Sequence, residues 1–164
     1  MIKQQLEKMW AYNEWAWQRV FPSVAQLDDA AYKLDRGFFW GSLHGMLAHC
    51  FSAEWIWPLR LQGISPSALK DPGAFDNFAA LRTEWDPARA ALGDYIRSLT
   101  EADLAAEYSY RDTSGVGYAA TVADTLTHVF LHSAEHRGQI TPLLFNLGVP
   151  TQPLDHIFFA RRQI

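Results

Sequence analysis

The sequence predicts an all-α fold, a four-helix bundle with a short extra helix at its C-terminal end. Three observations favour this fold. Four long segments repeat apolar residues at three- and four-residue spacing, which is the period of an amphipathic helix. The connections between these segments are moderate in length, as in helical bundles. The chain has 164 residues, enough for one domain to bury its own core, so we expect residues 1–164 to form a single helical domain.

The first two helices are predicted over residues 2–20 and 40–61. Pro22 is expected to follow the end of the first helix, because proline interrupts helical hydrogen bonding. The polar stretch over residues 28–37 is predicted to be an irregular connection. Gly63 is expected to terminate the second helix. This helix is apolar on almost every side, which is typical of a helix buried by several neighbours or shared with a subunit interface.

The third and fourth helices are predicted over residues 75–99 and 121–147. Tyrosine-rich segments flank a polar stretch at residues 111–115, which predicts either a short hairpin or an irregular excursion between these helices. A last short helix is predicted within residues 154–162. Pro142 removes one hydrogen bond from the fourth helix, and we expect a bend just beyond His136.

The composition excludes several classes of function. Lys and Arg number 14 against 18 Asp and Glu, so the formal net charge is -4 and the basic surface of a nucleic-acid-binding protein is absent. The single cysteine, Cys50, excludes an internal disulfide, and we expect it to be a small buried apolar residue. No stretch reaches the roughly 18 apolar residues of a membrane span, and no secretory signal is recognisable. We therefore expect a cytoplasmic protein without a nucleic-acid or membrane partner.

Six histidines are the unusual feature of this composition. His132 and His136 are four residues apart, so a helix places their imidazoles on one face, one turn apart, at a spacing that suits a metal ion. His128 lies one turn earlier on the same stripe. Three successive turns of a straight helix do not converge easily on one ion. The spacing therefore allows either the 128/132 pair or the 132/136 pair.

A third ligand has to come from another helix, and the second helix offers His44 and His49. The two face different directions because they are five residues apart. His49 shares its side with small residues that leave room for a metal or substrate, and this favours His49 over His44. The spacing is a weak signal by itself, because buried histidines are more often hydrogen-bonded core residues. A zinc-protease motif is excluded, since Ser133 follows His132 where that motif has glutamate. His156 has no spacing partner.

Two motifs around these histidines resemble those of one family. The second helix carries Ser-Leu-His-Gly-Met-Leu-Ala-His at residues 42–49, followed by Glu54 and Trp57. The fourth carries His128 and then His-x-x-x-His-Arg-Gly-Gln at residues 132–139. These motifs resemble the DinB-like four-helix-bundle proteins, also called DinB/YfiT-like metalloenzymes. Other segments along the chain match the family's pattern in the same order, so the resemblance covers nearly the whole sequence.

The resemblance implies an up-down-down-up bundle, often dimeric, with a three-histidine site for a divalent metal. Carried onto this sequence, the ligands are His49, His132 and His136. Members with assigned activities are similar to thiol-dependent transferases and isomerases. The implied function is a metal-dependent enzyme, transferase-like or hydrolase-like, that activates a small thiol or water toward a small-molecule substrate. The alternative is a non-catalytic stress-response protein whose metal is structural or sensory.

The resemblance leaves the metal and the residues around it to be assigned. Imidazole ligands suit several divalent metals, and we expect zinc or nickel first, with iron as a further candidate. A low-molecular-weight thiol is the expected cosubstrate, and a homodimer the expected assembly. The partners of metal-binding imidazoles fix their orientation, and the candidates here are Tyr12, Asn13, Gln139 and His128. Arg137 is predicted to point away from the site, toward the surface or an interface.

Overall fold

The computed structural model of the protein describes residues 1–37 and 39–163. Most of these residues are helical, and one small antiparallel sheet accompanies the helices. In chain order the elements are α1 (Ile2–Val24), α2 (Asp29–Lys33), α3 (Leu43–Leu61), α4 (Phe78–Ser98), α5 (Glu101–Ala105), β1 (Glu107–Arg111), β2 (Gly117–Thr121), α6 (Val122–Asn146) and α7 (His156–Ala160). A short 3₁₀ helix, Pro72–Ala74, precedes α4. The predicted helical fold is therefore confirmed at the level of a mostly helical protein.

The four long helices enclose a common interior. Helix α1 packs against α4 and α6, and α3 packs against the same two helices. Trp17 of α1, Phe51 of α3 and Trp85 of α4 meet at the centre of this interior and are almost wholly inaccessible to solvent. The ring centroids of Trp17 and Trp85 are 4.9 Å apart in an edge-to-face arrangement, a favoured geometry for aromatic pairs. This packing places α3 beside α6, the two helices that carry the candidate ligands.

Polar caps fix where several helices begin. The Ser42 side chain accepts a hydrogen bond from the Gly45 backbone N–H, so α3 starts at Leu43 rather than at the predicted residue 40. Asn77 and Thr121 cap α4 and α6 in the same way. A cap satisfies a backbone donor that the first helical turn leaves without a partner. Trp40, just before α3, therefore lies outside the helix and can pack against it.

Two predictions near the N-terminus are wrong. Pro22 lies inside α1, which continues to Val24. The carbonyl that loses its helical donor belongs to Gln18, which is exposed, so water can satisfy it and the helix continues. The polar connection over residues 28–37 contains a further helix, α2, which Asp28 caps and Tyr32 anchors in the core.

The later elements agree with the sequence. β1 and β2 form an antiparallel hairpin in which Tyr110 pairs with Tyr118, and the last predicted helix is α7. Pro142 lies inside α6, and the bend expected just beyond His136 stays a prediction. Within the described residues, no helix combines the length and the hydropathy needed to cross a membrane.

Candidate metal centre

Three of the six histidines converge between α3 and α6. The Nε2 atom of His132 lies 2.8 Å from Nε2 of His49 and 3.1 Å from Nε2 of His136. The three potential ligand atoms all lie within 4.8 Å of one another. His132 and His136 come from successive turns of α6, and His49 faces them from α3. The structure therefore brings together one histidine from α3 and the 132/136 pair.

Hydrogen bonding shows which nitrogen each ring can offer. The Nδ1 atom of His136 lies 2.8 Å from the amide oxygen Oε1 of Gln139. An amide oxygen only accepts, so Nδ1 carries the proton and the Nε2 lone pair faces the other two rings. Within the described residues, the Nδ1 atoms of His49 and His132 are buried without hydrogen-bond partners. The three rings thus face one another with their Nε2 atoms.

The electrostatics keep two of these imidazoles neutral. Burial lowers the pKa of His49 to about 4, and the neighbouring His136 contributes to the lowering. Burial, together with the surrounding histidines, lowers the pKa of His132 to about 3. Neutral imidazole is the form that binds metals. The three Nε2 atoms lie close enough together to donate their lone pairs to one cation. The donor set therefore fits a divalent metal.

The segment before α3 covers one side of the cluster. Trp40 stacks on His49, with ring centroids 3.8 Å apart and planes 16° from parallel. A cavity of about 450 Å³ lies beside these rings, lined by Phe39, Trp40, Met46, His136 and Gln139. Its walls are mainly apolar. The histidine cluster therefore borders a space large enough for a small molecule.

Comparison with known proteins agrees with the site. Residues 1–163 match the DinB family. This chain belongs to the DinB family. It is similar to Protein DinB of Bacillus subtilis (strain 168), with 26% identity over 157 residues that cover 91% of this chain and 90% of that protein. The family resemblance drawn from the two histidine motifs is confirmed, and this DinB-family chain has a histidine cluster that could hold a metal ion.

The remaining histidines of this DinB-family chain lie outside the cluster. His128 is exposed on α6, 5.1 Å from the Trp57 ring and 5.6 Å from the His132 ring between centroids. His44 is buried, and its Nε2 lies 2.8 Å from the carbonyl oxygen of Pro72. His156 lies on α7.

The other expected pocket residues differ in what they contact. Gln139 contacts a histidine of the cluster directly. The Tyr12 hydroxyl donates instead to the carbonyl oxygen of Leu154, at 2.7 Å. The Asn13 amide nitrogen donates to the Glu54 carboxylate, at 2.8 Å. The structure thus places Gln139 at the cluster and gives Tyr12 and Asn13 other partners.

Glu54 is the residue that sequence reasoning missed. Its carboxylate is wholly buried. Oε1 accepts hydrogen bonds from Asn13, Trp17 and Ser133 at 2.8, 3.0 and 2.9 Å, and Oε2 accepts one from Trp85 at 2.7 Å. The sequence carried a signal of this role, namely a glutamate within a mostly apolar helix. Such a carboxylate has to be either buried with hydrogen-bond partners or turned to solvent.

The predicted surface position of Arg137 is wrong. Only 2% of this residue is exposed, and its guanidinium donates a hydrogen bond to the side-chain oxygen of Asn13. Asn13 therefore connects Arg137 with Glu54, which takes the amide hydrogen. Arg137 is turned inward because the residue after His136 on α6 faces α1.

Proposed function

We propose that this protein is a metal-dependent enzyme that activates a small thiol or water toward a small electrophile. In this proposal His49, His132 and His136 bind a divalent cation, with zinc or nickel as the first candidates and iron as a further one. The observation that carries the proposal is the convergence of three Nε2 atoms beside an apolar cavity. Catalytic zinc sites characteristically use three protein ligands and leave a position open.

The chemistry follows from that open position. A divalent cation held by His49, His132 and His136 would act as a Lewis acid and would favour the deprotonated form of a thiol or water. In the reaction the thiol proton passes to solvent, sulfur bonds to the electrophilic atom, and the leaving group departs with its electron pair. Gln139 holds the His136 ring in the tautomer that presents Nε2.

The lining of the cavity supports an apolar group on the substrate. Trp40 and Met46 present apolar surface beside the histidines and limit access of water to them. The chain's own cysteine is a poor source of thiolate, because Cys50 is wholly buried and burial raises its pKa well above its usual range. A low-molecular-weight thiol is therefore the proposed cosubstrate.

The same proposal extends to the architecture. We propose that α1, α3, α4 and α6 form the up-down-down-up bundle implied by the resemblance, and their mutual packing supports it. We also propose a homodimer. Two large apolar side chains of α6, Leu131 and Phe145, are 60% and 70% exposed and support burial against a second copy.

Metal analysis tests the ligand assignment. The wild type, His132→Ala and His128→Ala are purified, incubated with zinc and desalted, and bound metal is measured by mass spectrometry. His128→Ala is the matched control, because it removes an imidazole from the adjacent turn of α6. We expect stoichiometric zinc in the wild type and the control and far less than one equivalent in His132→Ala, which would lose one of three ligands. Equal metal content in all three proteins would contradict the assignment.

A second measurement separates catalysis from a structural or sensory metal. The cluster joins α3 to α6, so a bound cation would stabilise the fold even without turnover. Metal-loaded protein is given a panel of low-molecular-weight thiols with a small electrophile, and adducts are detected by mass. Thermal melting is measured with and without a chelator. A large melting shift without adducts or hydrolysis would favour the non-catalytic alternative.

A further inference from the structure

Two aromatic side chains form one corner of the cavity beside the histidine cluster. Phe39 and Trp40 both line this cavity. Their ring centroids lie 5.0 Å apart, and their planes are 87° from parallel. Because the two planes are perpendicular, a flat ring in the corner can stack on one wall and meet the other edge-on. Both arrangements are favourable between aromatic groups.

A closed turn of the backbone carries this corner. The Arg36 N–H donates a hydrogen bond to the Gly41 carbonyl oxygen at 2.8 Å, so the chain reverses direction around the two aromatic residues. Gly37 and Gly41 have φ of 72° and 73°, a conformation that residues with side chains rarely adopt. Phe39 is 91% exposed, so packing within the described chain does not account for the position of its ring. The turn, rather than the core, places Phe39 at the cavity.

None of the described residues that line this cavity is charged. Its other walls are Met46, His136 and Gln139. The two polar members bond to each other, because Nδ1 of His136 donates to Oε1 of Gln139 at 2.8 Å. An ionised ligand group would lose water in this space without gaining an opposite charge. A divalent cation at the histidines would also repel a positively charged ligand. The lining therefore favours an uncharged ligand.

We propose that the electrophile is an uncharged aromatic compound whose ring is held by Phe39 and Trp40. This inference rests on the proposed function and names the substrate class of the same site. The cavity volume of about 450 Å³ is within the range of small-molecule sites. Trp40 stacks on His49, so a ring bound in the corner lies beside the histidines, where the nucleophile is activated. Phe39 is then the residue that determines specificity for the ring.

Binding of unreactive probes to the metal-free protein tests the ligand class. Benzamide is compared by NMR titration with the anion benzoate, the cation benzylammonium and the non-aromatic cyclohexanecarboxamide. A chelator is present, because a carboxylate would bind a metal directly. We expect saturable binding of benzamide, at least tenfold weaker binding of benzoate and about fivefold weaker binding of cyclohexanecarboxamide.

The cation is included because aromatic faces also attract positive charge. Benzylammonium should bind more weakly than benzamide, since the cavity offers no carboxylate to replace the water that its ammonium group loses. If any of the other three probes binds as tightly as benzamide, the proposal is overturned. The absence of saturable benzamide binding would overturn it as well.

Three variants locate the binding. Phe39→Ala removes one wall of the corner and should weaken benzamide binding about fivefold. Phe39→Leu keeps an apolar side chain but should reduce the preference for benzamide over cyclohexanecarboxamide. Both should melt like the wild type, because the Phe39 ring is exposed. Phe158→Ala removes an exposed ring of α7 that does not line the cavity, and this control should bind benzamide like the wild type. Unchanged benzamide affinity in Phe39→Ala would overturn the proposal.

Two further measurements separate this inference from a subunit contact and from the proposed function. A second copy of the chain that covers Phe39 would also account for its exposed ring. Light scattering is therefore run on the wild type and Phe39→Ala, and a changed oligomeric state with unchanged benzamide affinity would overturn the proposal. Benzamide binding without thiol adducts or hydrolysis in the metal-loaded protein would uphold the ligand class and reject the enzyme. Adducts without benzamide binding would uphold the enzyme and overturn this inference.

Discussion

At the scale of single residues, Gly45 sets how closely the chain can cross the first turn of α3. A Cβ at this position would overlap the backbone carbonyl oxygen of Trp40. Because that carbonyl belongs to the residue that stacks on His49, the small size of Gly45 helps to hold the indole over the ring. The Trp40 stack is therefore a consequence of backbone proximity as well as of aromatic attraction.

Replacement of Gly45 should be much more harmful than replacement of Gly138, a helical glycine with open space around it. Gly45→Ala forces the backbone at Trp40 to move, and we expect a loss of about 2 kcal/mol in the free energy of unfolding. Gly138→Ala meets no atom and should raise that free energy by up to about 1 kcal/mol, since alanine is the better helix former. Urea unfolding of both variants measures the difference. Equal effects would show that the close crossing before α3 does not constrain residue 45.

At the scale of the helices, Glu54 is the point at which all four long elements meet. Its carboxylate on α3 accepts hydrogen bonds from two residues of α1, one of α4 and one of α6. The last of these donors is Ser133, which follows the ligand candidate His132. One buried side chain thus sets the relative positions of the helices that carry the histidines.

Glu54→Gln tests this arrangement. The glutamine has nearly the same shape, but its amide nitrogen donates and would face hydrogen-bond donors that need an acceptor. We expect the free energy of unfolding to fall by about 3 kcal/mol, in the range seen when a buried charge network is broken. The exposed control Glu135→Gln should change it by less than about 0.5 kcal/mol. A Glu54→Gln protein as stable as the control would show that the network contributes little.

The helices and the histidine stripe could be predicted from the sequence because their signals are local. Apolar spacing and the four-residue step from His132 to His136 involve neighbours along one helix. The bonds of Glu54 and the inward turn of Arg137 could not be predicted in this way. These contacts join residues of different helices. The spacing of apolar residues along one helix does not indicate which other helices pack against it. For the same reason, the small residues beside His49 only favoured it over His44, and the family resemblance was needed to name it as the third candidate ligand.

At the scale of the whole molecule, the histidine cluster makes stability depend on pH. The pKa of His49 is about 4 and that of His132 about 3 in the folded protein, against about 6.5 for an unfolded histidine. As the pH falls below that value, the unfolded state takes up protons that the folded state does not, so the folded state loses stability. The contribution is complete above about pH 7 and disappears as the pH approaches the folded values.

We therefore expect the metal-free protein to melt at progressively lower temperature between about pH 7 and pH 4. His132→Gln removes one of the histidines with a lowered pKa, so its melting temperature should decline less over the same interval. His156→Gln, on α7 outside the cluster, should decline as steeply as the wild type. Calorimetry in the presence of a chelator gives the three curves. Parallel curves for the wild type and His132→Gln would contradict this origin of the pH dependence.

The stack of Trp40 on His49 also has a spectroscopic consequence. An indole in face-to-face contact with a candidate ligand ring is close enough for a paramagnetic ion at the cluster, such as nickel or copper, to quench its emission. The other six tryptophans supply the remaining signal. Occupancy of the histidine cluster can therefore be followed by intrinsic fluorescence, without a label, during titration or rapid mixing.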